Sequence, residues 1–228
     1  MQILKLSGAI ALAALMTACA VDNTEREMAA MGGFERASYA LNTGQNDTAH
    51  EGFSCIASRG HGYEVAQHNA GLASLAMAEE PGRSQAEADE LRQRGVEELT
   101  VAGRAGWPAS QAALVEYYAG QGDDDALIMA GVWMWIYRSN NRETALGVQR
   151  LPEERRAYYA ELVGEERLQT ARERASTYRI EPMVERPASP LCAPWFQRGS
   201  IQIQVNRPAQ QQRQQPQQQQ QPGRQPGF

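Results

Sequence analysis

Lysine is all but missing from this chain of 228 residues: Lys5 is the only one, and every other cation is an arginine. Cysteine is scarce, at three residues, which excludes a small domain held together by a dense disulfide framework. Aromatic residues make up only 7%, and the one N-terminal apolar stretch is too short to cross a hydrocarbon core of ~30 Å, so a multi-span membrane protein is excluded. Acidic residues stop at Glu185, after which only Arg186, Arg198, Arg207, Arg213 and Arg224 carry charge. Taking Lys5 and those five arginines from the total of −5 leaves −11 over residues 6–185. An acidic body without a basic patch argues against nucleic-acid binding. With 42% apolar and 21% charged residues, the chain falls in the globular range, with room for one helical domain and extensions.

Residues 1–18 read as a targeting segment. Met1 to Lys5 forms a short head with one cation, and Ala9 to Met16 is the apolar stretch. It ends in Leu15-Met16-Thr17-Ala18-Cys19, which resembles the lipobox of bacterial lipoproteins, with Met16 where leucine is usual. The chemistry needs a thiol as lipid acceptor and small side chains before it for the peptidase. The resemblance implies lipidation of Cys19, with palmitate among the acyl chains, and residues 19–23 as a lipidated linker. Ala20 follows, not an aspartate, and this implies a bacterial outer-membrane lipoprotein facing the periplasm. Several acyl chains suffice for stable attachment.

From Thr24 to Arg179 the spacing predicts helices with Gly-bearing breaks, over 24–41, 48–58, 63–78, 85–104, 107–119, 126–139, 152–162 and 165–178. Alternation of period two is nearly absent before residue 200. An internal repeat lies beneath, in which Gly62-Tyr63-Glu64-Val65-Ala66-Gln67 aligns with Gly106-Trp107-Pro108-Ala109-Ser110-Gln111. A period of this length with two helices per unit points to an α-solenoid. The run Gly106 to Leu114, the turn Tyr117-Tyr118-Ala119-Gly120-Gln121-Gly122 and the aromatic Trp133-Met134-Trp135-Ile136 resemble the Sel-one-like repeats, relatives of the tetratricopeptide repeats. Ala66-Gln67-His68-Asn69-Ala70-Gly71-Leu72 is a more degenerate match, and Glu165 to Ala171 resembles the closing helix of bacterial members. The expected fold is thus all-α, a short solenoid of two or three repeats over 24–180.

Such a resemblance implies a protein-protein interaction module with no enzymatic activity, no cofactor and an unknown periplasmic or envelope protein as partner. Glu64, His68, Trp107 and Glu116 are the candidates for an exposed binding face; Trp107 fits the core equally well. The alternative is an envelope enzyme, or a protein binding peptidoglycan or β-lactams. Its nucleophile or metal is hard to find. His50, His61 and His68 with Cys55 match no tight zinc spacing. Asp123-Asp124-Asp125 lacks the later glutamate of a calcium loop and suits the first turn of a helix. Ser54 stands in no nucleophile motif.

Beyond Ile180 four prolines break any helix, giving a Pro-rich extension over 181–207. Ile201 to Val205 alternates and suits one short strand. Residues 208–228 hold eleven Gln and four Pro in 21 positions, a composition that predicts disorder. That tail is read as a spacer or as an arm touching the cell wall. Cys55 and Cys192 remain as the two thiols of an exported domain, and the apolar cluster Leu191 to Phe196 needs a surface to cover it. A Cys55–Cys192 bridge tying residues 183–205 back along the helices is the expectation.

Overall fold

Ser84 and Asp123 show why the helices begin where they do. Ser84 Oγ accepts the Glu87 amide at 3.3 Å while the Glu87 carboxylate accepts the Ser84 amide at 2.9 Å, a reciprocal cap. Asp123 Oδ1 accepts the Ala126 amide at 2.9 Å, and Asp124 and Asp125 fill the first turn. In the computed structural model, which describes residues 29–142 and 150–197, these starts belong to eight α-helices and no strand. Helix α1 covers 29–42, α2 Asn46–Ala57, α3 Glu64–Ala78, α4 Gln85–Arg104, α5 Pro108–Gln121, α6 Asp124–Ser139, α7 Glu153–Val163 and α8 Glu165–Ser176. The all-α expectation holds for the described residues, with described helix ends within two residues of the expected ones. Cys19, the targeting segment, the 201–205 strand and the 208–228 tail lie outside them.

Short connections make each helix pack on its neighbour in sequence, α2 on α3, α3 on α4, α4 on α5 and α5 on α6, with α7 and α8 closing over α6. Helices α3 and α4 approach closely at Gly71 and Gly95. A Cβ placed on either would lie 2.9 Å from the other's carbonyl oxygen, so the backbones of α3 and α4 touch where no side chain fits. Gly131 of α6 plays a similar part against the Ala171 methyl of α8.

Two cores result. One gathers Leu99, Leu114, Val115, Trp133, Ile136, Leu151 and Val163 from α4 to α7. Tyr137 anchors the chain that re-enters this core, its hydroxyl oxygen accepting the Leu151 amide at 2.9 Å. The other core gathers Phe53, Ile56, Ala66, Ala70 and Ala73 from α2 and α3 together with Met183, Cys192 and Trp195 from the C-terminal extension.

That extension is a strap laid back over the helices. The Tyr178 hydroxyl lies 3.0 Å from the carbonyls of Gly103 and Arg104, and the Glu181 amide donates to the Arg104 carbonyl at 3.0 Å. The Arg186 amide then donates to the Ser58 carbonyl at 2.7 Å, beside Gly60, whose φ of +81° and missing Cβ admit the backbone of Val184 and Glu185. The strap ends in a 3₁₀ segment, Pro190–Phe196, begun by Ser189. The prolines that forbid an α-helix here are compatible with this tighter turn.

Candidate functional site

The cross-link between Cys55 of α2 and Cys192 of the strap, with Cα atoms 5.3 Å apart, forms one wall of a cavity of about 660 Å³. The other walls come from α2, α4 and the strap. Two glycines let the strap settle this closely. The Trp195 ring lies where a Cβ on Gly52 would be, as close as 2.5 Å, and the Trp195 carbonyl occupies the same place at Gly33. The indole N–H donates to Glu51 Oε1 at 3.1 Å, and Arg36 stands 5.6 Å over the ring while donating to the Pro194 carbonyl at 2.9 Å.

Inside the cavity, His50 Nε2 lies 2.8 Å from Glu98 Oε1, and the Ser74 hydroxyl donates to Glu98 Oε2 at 2.8 Å. Ser54 Oγ is 3.4 Å from the same His50 Nε2. Serine, histidine and carboxylate are therefore neighbours, but in the wrong order for proton relay. A nucleophilic triad uses one ring nitrogen for the serine and the other for the acid. Here a single nitrogen faces both, so the shorter contact to Glu98 occupies the base. The cluster ties α2, α3 and α4 together across a polar seam. Arg186 adds the strap to it, reaching Gln67 Oε1 at 3.3 Å.

Of the residues singled out from sequence, Cys55 and Cys192 meet and both are buried. Glu64 is not exposed, contrary to expectation: it is 3% accessible, because its carboxylate turns back to accept the Gly62 amide at 3.1 Å and to meet His61 Nδ1 at 3.0 Å. That arrangement holds the Gly60–Gly62 turn against the start of α3, a local role that a surface reading overlooks. His68 is half-buried and bonds Ser110 Oγ at 3.0 Å, joining α3 to α5. Trp107 is half-buried, and its indole nitrogen has no partner among the described residues. Glu116 is on the surface and pairs with Arg155 at 2.8 Å. Among the described residues no hydrogen bond or ion pair joins any two of Glu64, His68, Trp107 and Glu116, so they form no single site. Glu98, Ser74 and Arg186 were missed, and His50 was weighed only as a metal ligand. The four-residue step from His50 to Ser54 on one helical face was the only signal available for them.

Among the described residues no group of His, Cys, Asp and Glu side chains is placed to hold a metal ion. Compared with known protein families, with curated proteins and with solved structures, the chain matches none.

Burial, reinforced by the Arg150 charge, pulls the His68 imidazole down from 6.5 to about 4. The unfolded chain therefore binds a proton that the folded one refuses. This stabilisation is complete above pH 6.5 and is lost as the pH falls toward 4. Because His68 is only partly enclosed, its share is of order 1–2 kcal/mol between pH 7 and 5. Urea unfolding at the two pH values should show the loss in the native chain, and His68→Gln should remove that part of the dependence. Equal slopes for both proteins would contradict the assignment.

Proposed function

We propose that this protein is a lipid-anchored component of the bacterial outer membrane, facing the periplasm, that presents a short α-solenoid of Sel-one-like type for protein-protein contact. The observation that carries the reading is the run Leu15-Met16-Thr17-Ala18-Cys19 with Ala20 behind it. Acyl chains on Cys19 would supply the attachment, and no helix among the described residues is long and apolar enough to cross a membrane. Helices packed each on the next suit a repeat scaffold, since each hairpin buries its apolar side on the following one. The strap-lined cavity adds a concave, mixed-charge surface to that scaffold. The His50 geometry favours contact over catalysis for the reason given above.

Cys19→Ser decides the anchoring. The variant should lose palmitate labelling and leave the outer-membrane fraction; unchanged labelling and fractionation would refute the lipoprotein reading. Incubation with labelled penicillin separates the interaction module from the envelope enzyme, because covalent labelling of the protein would replace the first by the second. Crosslinking in cells for the partner calls for reagents directed at carboxylates or tyrosines, since the chain after Lys5 offers no lysine.

A further inference from the structure

Arg83, Arg92, Arg94, Arg104, Arg155 and Arg167 are each paired with a carboxylate. Arg138, Arg156 and Arg172 are among those with no such pairing among the described residues; Arg138 and Arg172 meet at Trp135, and Arg138 and Arg156 at the pocket beside it. The guanidinium groups of Arg138 and Arg172 stand 5.3 and 5.4 Å from the centre of the Trp135 ring. Arg138, Arg156 and Trp135 line a pocket of about 320 Å³ between α6, α7 and α8, whose remaining wall includes Met134, Ala160 and Leu168. Arg156 uses Nη1 on the Leu151 carbonyl at 2.7 Å. The Trp135 indole nitrogen, like those of Trp107 and Trp133, is shut off from solvent and has no hydrogen-bond partner among the described residues. In a body of net negative charge the pocket brings two guanidinium groups against the single carboxylate of Glu153.

We propose that this pocket binds the chain-terminal carboxylate of a peptide whose last residue is apolar. Guanidinium groups present paired N–H donors that match the two oxygens of a carboxylate, and stacking on an aromatic ring pre-orients them at reduced entropic cost. Apolar lining within the same small volume asks for an apolar group next to the charge, and a terminal Leu, Val or Phe carries both on one residue. At about 320 Å³ the space is at the low end for ligand pockets, enough for such a terminus and too small for a folded element. Glu153 also lines it, and the apolar wall is what separates an apolar carboxylate from inorganic phosphate, which has no apolar group to place there. The proposal gives the partner of the interaction module a chemistry and takes its biological setting from that reading. Binding is measured on the purified chain, so either can fail without the other.

The probe is N-acetyl-leucine, titrated into the full-length chain while the indole N–H resonances of Trp107, Trp133, Trp135 and Trp195 are followed by NMR. A saturable shift of the Trp135 signal is expected, with Trp195, on the far strap, unmoved. N-acetyl-leucinamide, which lacks the carboxylate, should bind at least roughly tenfold more weakly, as should the exposed double variant Arg138→Gln, Arg172→Gln. An unchanged Trp195 signal in that variant shows that it folds. Equal response to the amide, undiminished binding by the double variant, no saturable shift, or an equal response to inorganic phosphate would each overturn the proposal.

Discussion

Cys192→Ser is expected to cost the protein roughly 2–5 kcal/mol of stability. The bridge it removes joins residues 137 apart in the chain, and closing so long a loop restricts the unfolded ensemble strongly. Chain entropy alone gives about 4–5 kcal/mol at this loop length, an upper figure because denatured chains are already compact. The folded side adds to it, since the loss also loosens Trp195 from the space above Gly52 and Gly33. Urea unfolding with and without dithiothreitol tests this directly. The reductant should lower the native midpoint to that of the variant and leave the variant where it was. Identical midpoints in all four conditions, or two free thiols by intact mass in oxidised protein, would show that the bridge contributes nothing.

The double change Gly71→Ala, Gly95→Ala should be about as severe, at 2 kcal/mol or more, although alanine in place of glycine inside an exposed helix ordinarily gains about 1 kcal/mol. The sign reverses because each new methyl meets the other helix's backbone at 2.9 Å and a leucine, Leu99 or Leu75, at 2.8 Å. Backbone atoms cannot rotate away, so α3 and α4 must separate and loosen the contacts on either side of the crossing. Gly120→Ala, at a helical glycine with nothing within 4 Å, is the matching control and should be neutral or stabilising. If the double variant melts with the native protein, the close approach of the two helices is not what the structure describes.

Helix existence was legible because punctuation and periodicity agree along most of the body. The Gly60-His61-Gly62 break, the Pro81-Gly82 turn and the Gly122 cap each fall where the chain reverses, and Gly60, Gly62, Gly82 and Gly122 all have positive φ. Gly71 could be read from its place in the repeat pattern, but its partner Gly95 could not, since nothing local distinguishes a helical glycine at a crossing from one that merely weakens a helix. The apolar cluster around Trp195 announced that it needed cover, yet its 3₁₀ conformation was hidden by the prolines that rule out an α-helix. The cavity was illegible for a different reason. His50 and Glu98 lie 48 residues apart, and only packing of α2 and α4 on the same face of α3 brings them together. Glu64 was misread because a surface-type residue at a helix start was taken for a binding group, when the nearer use for its carboxylate was the unpaired amide of Gly62.

The strap also alters how such a succession of packed helices comes apart. Helices that touch only their sequence neighbours can fray from either end, one pair at a time, with no cost felt at the other end. Here the Pro190–Phe196 turn is fastened to the second helix, so opening that end strips Trp195 from α1 and α2 as well. Unfolding becomes a concerted event rather than an unzipping, and amide exchange in α2 should track exchange in the Pro190–Phe196 segment. Under a pull between the two termini, the covalent loop from Cys55 to Cys192 is bypassed by the load. Only the chain outside it lengthens, so α3 to α8 stay slack while the tether around them bears the tension.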